Sequence, residues 1–356
     1  MYDYAFDTEL VRLAILLGVV VSMLFYNRYG VTTGGVIVPG YMALFAPRPI
    51  QIAVVLLIAM LTNWVVQKHL RPRFMLWGRR LFEIEILVAL ILQSLWLGTL
   101  FLFRPYVPQL ALLHGIGFLL PGIIAHDMGR QSVRTTIGAA LTCMLIVFGL
   151  VTLIGAIRDI SGLTILLANT PRSARPNIYT YPSKWLTIAI VVSVLTSISL
   201  YHRGLFRITL LSDSLRTGGF VTAGYLALFV NQPLDLLFIL VCSSVTYLIV
   251  TRYLMKRAIL FGRTKMAAMF LTSMVVTWSA EILLSGSGLG YIPWIGFNAI
   301  APTIVALLAN DAQRQGPQRT LIGASVATLV VFVIMSLLYF GHGLLFSESR
   351  SLALVE

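Results

Sequence analysis

Acidic residues are scarce in this chain of 356 residues: Asp and Glu number 13, against 26 Lys and Arg. Charged residues of all kinds make up 11%, where a soluble domain carries about 25%. That deficit excludes an ordinary water-exposed globule. Cysteine is nearly absent. Cys143 and Cys242 each lie inside an apolar run, which reads as two small core residues and not as a disulfide or a metal pair. Catalytic and nucleotide signatures are missing as well: GxxxxGK(S/T), HExxH, CxxC and GxSxG do not occur. No metal or cofactor is therefore expected. A basic n-region is also lacking, since Asp3, Asp7 and Glu9 precede the first apolar run, so no cleaved secretory signal is expected.

What the chain has in abundance is apolar sequence. It is 58% hydrophobic with a mean hydropathy of +0.90, and several runs approach the 18 or so apolar residues that a membrane-crossing helix needs. An all-α polytopic membrane protein follows. The formal charge of +13 then reads as loop charge that sets topology, because cytoplasmic loops collect Lys and Arg.

The chain also repeats itself. Residues 30–49, GVTTGGVIVPGYMALFAPRP, return as 216–233, RTGGFVTAGYLALFVNQP. An offset of 184 aligns Gly34-Gly35 with Gly218-Gly219, Gly40-Tyr41 with Gly224-Tyr225, and Pro49 with Pro233. At the same offset Leu76-Trp77-Gly78-Arg79 meets Leu260-Phe261-Gly262-Arg263, and Arg130-Gln131 meets Arg314-Gln315. This period is far longer than a solenoid repeat of roughly 20–50 residues, so the expectation is a duplicated membrane module. The boundaries are 1–157 for the first, 158–184 for a Pro- and Arg-containing linker, 185–345 for the second, and 346–356 for a tail.

Each half reads as six segments. In the first these are 10–26, a short glycine-rich piece at 31–46, 50–67, 81–103, 112–125 and 135–157. Pro39, in the middle of the short piece, removes a backbone donor and predicts a broken helix packed against other spans. Polar turns are expected at 126–134 and 310–319. An even number of crossings makes the halves parallel, related by a pseudo-two-fold axis along the membrane normal. Most Lys and Arg fall in alternate loops, notably 68–80 and 252–265, while the opposite short loops 231–233 and 285–291 carry none. Basic loops inside, with termini and linker outside, is the expected orientation.

Three motifs of the first half, GVTTGGVIVPGY at 30–41, FMLWGRR at 74–80 and GIGFLLPGIIA at 115–125, resemble the PgsC/CapC family, the small membrane subunit of poly-γ-glutamate synthase. The second half resembles it more weakly and departs at Ala223, where the first half has Pro39, and at Thr264, where it has Arg80. The resemblance implies a subunit that is not an enzyme on its own. It implies one that supports a cytoplasmic ATP-dependent amide ligase, beside a further membrane-anchored partner, in building or exporting a polyanion across the bacterial inner membrane. A stand-alone secondary transporter for small carboxylates is the alternative, since repeats and broken helices suit that class too.

The candidate residues follow. Arg79, Arg80, Arg130, Arg263 and Arg314 fall on the basic rim, where a guanidinium fork suits carboxylates of a polymer or an acidic ligase face; topology-setting charge is the blander reading. Gly34, Gly35, Gly218 and Gly219 read as close-packing points between spans, or as exposed backbone along a carboxylate path. Pro39, Gly40, Tyr41, Pro121, Gly122, Gly224 and Tyr225 complete the motif set. His126-Asp127 invites an acid–base role, yet its counterpart is Asn310-Asp311, and an end-of-helix pairing of the aspartates with Arg130 or Arg314 is the simpler reading. Glu83, Glu85 and Glu281 lie in or near spans, where ionisable groups are costly.

Overall fold

The computed structural model describes residue 6 and residues 8–103, 116–161, 179–181, 185–202, 215–287, 293–294 and 300–352. Among these residues the protein is all helix and turn, with no strand. The first run of elements is α1 (Thr8–Tyr29), α2 (Val38–Leu44), α3 (Pro49–Val65), a π-turn (Val66–Leu70), α4 (Arg71–Phe74), α5 (Gly78–Phe103), α6 (Leu120–Arg130) and α7 (Val133–Ser161). The second run has the same order: α8 (Leu186–His202), α9 (Thr222–Leu228), α10 (Pro233–Leu248), a π-turn (Ile249–Leu254), α11 (Met255–Arg257), α12 (Gly262–Gly286), α13 (Ile300–Gln315) and α14 (Pro317–Leu352).

Among the described residues, seven helical stretches are long and apolar enough to cross a membrane: 10–29, 49–74, 78–103, 133–158, 233–257, 262–284 and 317–341. The apolar stretch 186–201 is shorter. Their outward faces carry large exposed apolar side chains, Leu57, Leu145, Leu153, Leu329 and Leu337 among them. That distribution suits hydrocarbon, not water. Pro49 and Pro233 each open a helix, where the missing N–H would be unpaired anyway.

Pro39 departs from expectation. It lies in the first turn of α2, where it starts the helix and interrupts nothing. The break in this segment comes instead from the irregular stretch 30–37 before it. The expected turn at 126–134 is also corrected. Residues 126–130 complete α6, only Gln131-Ser132 break the chain, and α7 begins at Val133. In the second half α13 runs through Gln315 and α14 starts at Pro317. The basic stretch 68–80 is mostly helical, with a loop of three residues, 75–77, turned by Met75 in a left-handed conformation. Of the 112–125 segment, only α6 from Leu120 is helical, and 112–115 lie outside the described residues. α7 continues to Ser161, past the expected linker start at 158, and 162–178 and 182–184 lie outside the described residues.

Two seams join the runs. At one, Ile86 and Leu90 of α5 pack against Ile190 and Val194 of α8. At the other, α1 packs against α12, where Met269, Phe270 and Met274 share a core with Ala14, Ile15 and Val19.

Candidate functional site

The repeated Thr-Gly-Gly is a strap laid against α6 in one half and α13 in the other. Gly34 and Gly35 have φ of +77° and +121°, and Gly218 and Gly219 have +75° and +107°, conformations that side chains rarely adopt. The straps also press tightly on their neighbours: a Cβ on Gly35 would come within 2.5 Å of Ile123, and one on Gly218 within 2.3 Å of Leu308. Thr33 Oγ1 donates to the Gly35 carbonyl at 3.1 Å, and Thr217 Oγ1 to the Gly219 carbonyl at 3.2 Å.

A strap inside a protein must satisfy its backbone away from any sheet. Glutamine does this here. Gln131 Oε1 accepts the Thr32 N–H at 2.9 Å, and its Nε2 donates to the Thr32 carbonyl at 2.6 Å and to Thr136 Oγ1 at 2.8 Å. Gln315 does the same for Arg216, at 2.9 and 2.8 Å, and reaches Thr320 Oγ1 at 3.0 Å. Arg130-Gln131 and Arg314-Gln315 repeat at the offset of 184, and by residue chemistry alone the arginine is the expected site. The glutamine is the residue that holds the strap.

The remaining motif residues are packing points. Gly40 faces α1 so closely that a Cβ there would lie 2.7 Å from the Ala14 carbonyl oxygen. Gly224 is looser, at 3.2 Å from the Ala189 oxygen. Gly122 abuts the Ile86 backbone, and Pro121 opens α6. Tyr41 and Tyr225 are half-buried against neighbouring cores. Tyr181 donates to the Gly224 carbonyl at 2.7 Å, and burial pushes its phenol pKa up.

The rim arginines divide. Arg263 of α12 crosses to the first run and grips Asp127 of α6 with both ends of its fork, its Nη1 lying 3.0 Å from Oδ2, while its guanidinium sits 5.8 Å from the Tyr26 ring. Arg79 of α5 donates to Glu83 at 2.7 Å and approaches Ser197 at 3.5 Å in the other run. Its guanidinium stacks 4.2 Å from the Tyr201 ring. The aspartates therefore do not pair with Arg130 or Arg314: Asp127 takes Arg263, and Asp311 lies 3.7 Å from Arg216. Arg80, Arg130 and Arg314 are exposed.

A part-buried polar chain centred on the buried Glu85 occurs, among the described residues, in the first half alone. Arg71 donates to Gln67 at 2.7 Å, Gln67 to Glu85 at 3.0 Å, and His126 Nδ1 lies 2.6 Å from the other Glu85 oxygen. Glu83 and Glu85 are both fully buried. The positions 184 further on hold Met269 for Glu85, Asn310 for His126 and Thr251 for Gln67, so the chain has no twin. Glu281 is paired too, with Arg12 at 2.6 Å across the α1–α12 seam. Among the described residues no group of His, Cys, Asp and Glu could hold a metal ion, and both cysteines are buried and free.

The model of one family, described as capsule biosynthesis CapC, matches this chain over residues 17–137 and again over 204–321, together two thirds of its length. Over 130 residues, 36% of this chain and 85% of the relative, it is 35% identical to "PGA biosynthesis protein CapC" of Bacillus subtilis (strain 168). It is 34% identical over 130 residues, with the same coverage, to "Capsule biosynthesis protein CapC" of Bacillus anthracis. No solved structure matches the chain. With the GGVIVPGY strap, the WGRR turn and the LPGIIA helix all inside the first matched segment, the chain belongs to the capsule biosynthesis CapC family.

Proposed function

We propose that this chain is the integral membrane subunit of an assembly that makes and exports poly-γ-glutamate, a capsule-type polyanion. The observation that carries the reading is the double match to one family whose curated relatives are named for capsule and PGA biosynthesis. In this reading 1–157 and 185–345 are duplicated modules related by a pseudo-two-fold axis along the membrane normal. The repeated element order and the paired glutamine brackets support it.

The chain is not itself the catalyst. It supports a cytoplasmic ATP-dependent amide ligase and works beside a further membrane-anchored subunit. The absence of any nucleotide signature in the sequence supports that division of labour. It lies in the bacterial inner membrane with its basic rim in the cytoplasm. There the exposed Arg80, Arg130 and Arg314 suit polymer carboxylates or an acidic ligase face. Arg79 and Arg263 already hold carboxylates of the protein and shape the seams beneath that rim.

Affinity purification of the tagged full chain from its native membrane tests this. An ATP-dependent amide ligase should co-purify, and deletion of the gene should abolish γ-linked polyglutamate. Uptake of free small carboxylates into liposomes by the chain alone, with no ligase bound in the native membrane, overturns the reading in favour of a carrier.

A further inference from the structure

The two seams correspond in sequence register but not in charge. At the α1–α12 seam, the first, one carboxylate and one guanidinium close on each other: Asp127 and Arg263; the α5–α8 seam is the second. At the second, Asp311 stands where the register puts Asp127, and Arg79 stands where it puts Arg263. Two further cations have been added. Arg216 occupies the position of Thr32, and Lys265 that of Leu81.

These cations converge. Arg79 and Arg216 lie over the same Tyr201 ring, at 4.2 and 5.7 Å. Arg216 is 3.7 Å from Asp311, and Arg79, Arg216 and Arg314 all act electrostatically on that carboxylate. Lys265 feels Arg314, Arg216 and Asp311 together. It is only 7% exposed, and its ammonium donates at 2.7 Å to the neutral Gln313 Oε1. Among the described residues, the carboxylates paired with Arg79, Arg216, Lys265 and Arg314 are Glu83 and Asp311. Four cations thus face two anions, with Lys265 buried, Arg79 and Arg216 half-buried and Arg314 exposed. Sheltered charge of one sign is unfavourable unless a partner compensates it. The Gly218 N–H also acts on Asp311, so that carboxylate is shared between the backbone and the cations.

We propose that the second seam binds a carboxylate-bearing anion through Arg216, Lys265, Arg79 and Arg314, and that the first seam does not. This deepens the proposed function and rests on it for the source of the carboxylate: a γ-linked glutamate chain presents one free α-carboxylate per residue, spaced to meet several cations at once.

The test uses the full chain in nanodiscs of zwitterionic lipid and a short, fluorescently labelled γ-linked oligoglutamate. The wild type binds it in a salt-sensitive manner, and more tightly than it binds free glutamate. Arg216→Thr with Lys265→Leu installs the side chains that the first seam already carries. It should weaken binding by about tenfold or more. Arg314→Gln, at an exposed position, should weaken it in the same direction. The control, Arg252→Thr with Lys256→Leu, removes the same charge from exposed rim positions and should leave affinity within about twofold.

No binding by the wild type, preference for inorganic phosphate over the oligomer, equal affinity in the seam variant, or an equal loss in the control overturns the site. Tighter binding of free glutamate than of the oligomer overturns the polymer as its source. Polymer yield in cells is read separately. A seam variant that loses the probe yet makes polymer normally leaves the site standing and removes the polymer reading, while unchanged probe affinity removes the site whatever the yield.

Discussion

Replacing Gln131 asks how much one side chain contributes when it substitutes for a sheet partner. Thr32 is nearly buried, and its N–H and C=O both end on the Gln131 amide, at 2.9 and 2.6 Å. Gln131→Ala leaves both backbone groups without that partner and frees Thr136 Oγ1 from a third bond at 2.8 Å. A buried group left unsatisfied costs about 1–3 kcal/mol, whereas polar contacts within membrane bundles average about 0.6 kcal/mol. Two stranded backbone groups and one relieved hydroxyl therefore place the loss at about 2–4 kcal/mol. Gln131→Glu is the sharper perturbation. It keeps the acceptor for the Thr32 N–H but turns a carboxylate oxygen toward the Thr32 carbonyl, so it should be no better than alanine despite its matching size.

Reversible unfolding in mixed micelles, followed by tryptophan fluorescence, measures both variants. Gln315→Ala should reproduce the effect on the Arg216 strap, and the double variant should equal the sum within about 0.5 kcal/mol, since the brackets share no residue. A Gln131→Ala protein within about 0.5 kcal/mol of wild type, or a Gln131→Glu protein equal to wild type, refutes the bracket as a source of stability.

Further outcomes follow from the same contacts. Gly40→Ala drives a methyl to 2.7 Å from the Ala14 oxygen and should lose about 1–3 kcal/mol, while Gly224→Ala, with its nearest atom at 3.2 Å, should lose well under half of that by thermal unfolding. Asp127→Asn strands the Arg263 fork and should destabilise by about 3–5 kcal/mol, and the exchange Asp127→Arg with Arg263→Asp should recover part of it; no recovery separates the pair from the stability of the seam. A cysteine placed within 162–178 should react with an impermeant thiol reagent on intact cells and one at Met75 should not; the reverse labelling inverts the proposed orientation.

The coarse fold was legible because membrane helices advertise themselves by length and hydropathy, and because the Gly-Gly and Gly-Tyr pairs recur at a fixed offset. The errors came where a polar residue was judged by its own chemistry and not by its neighbours. His126-Asp127 looks like a turn in the sequence since both side chains are polar, but α6 continues through them, and each finds a partner, Glu85 or Arg263, that is distant in sequence. Pro39 looked like a breaker because nothing local marks it as a first-turn residue. Gln131 carried no motif. Its partner lies 99 residues away, and only its reappearance as Gln315 at the repeat offset could have singled it out. Arg216 and Lys265 were counted as loop charge, because their convergence on Asp311 depends on elements that the sequence separates by about fifty residues or more.

The unequal seams bear on why the two proposed modules would share one chain. In a dimer of single modules, a substitution at a two-fold interface appears on both sides at once. An added arginine at the Thr32 position would then surround both aspartates, and an added lysine at the Leu81 position would double the repulsion. Neither is visible at the first seam, where Asp127 and Arg263 remain a closed pair. The reverse holds for Glu85 and His126, which persist in the first half while Met269 and Asn310 stand in the second. Each half thus has polar groups that the other lacks, and those groups lie at different places: a polar chain around Glu85 in the first half, and a cluster of cations around Asp311 and Tyr201 at the α5–α8 seam. A single polypeptide is the arrangement that lets one seam close for cohesion while the other accumulates charge.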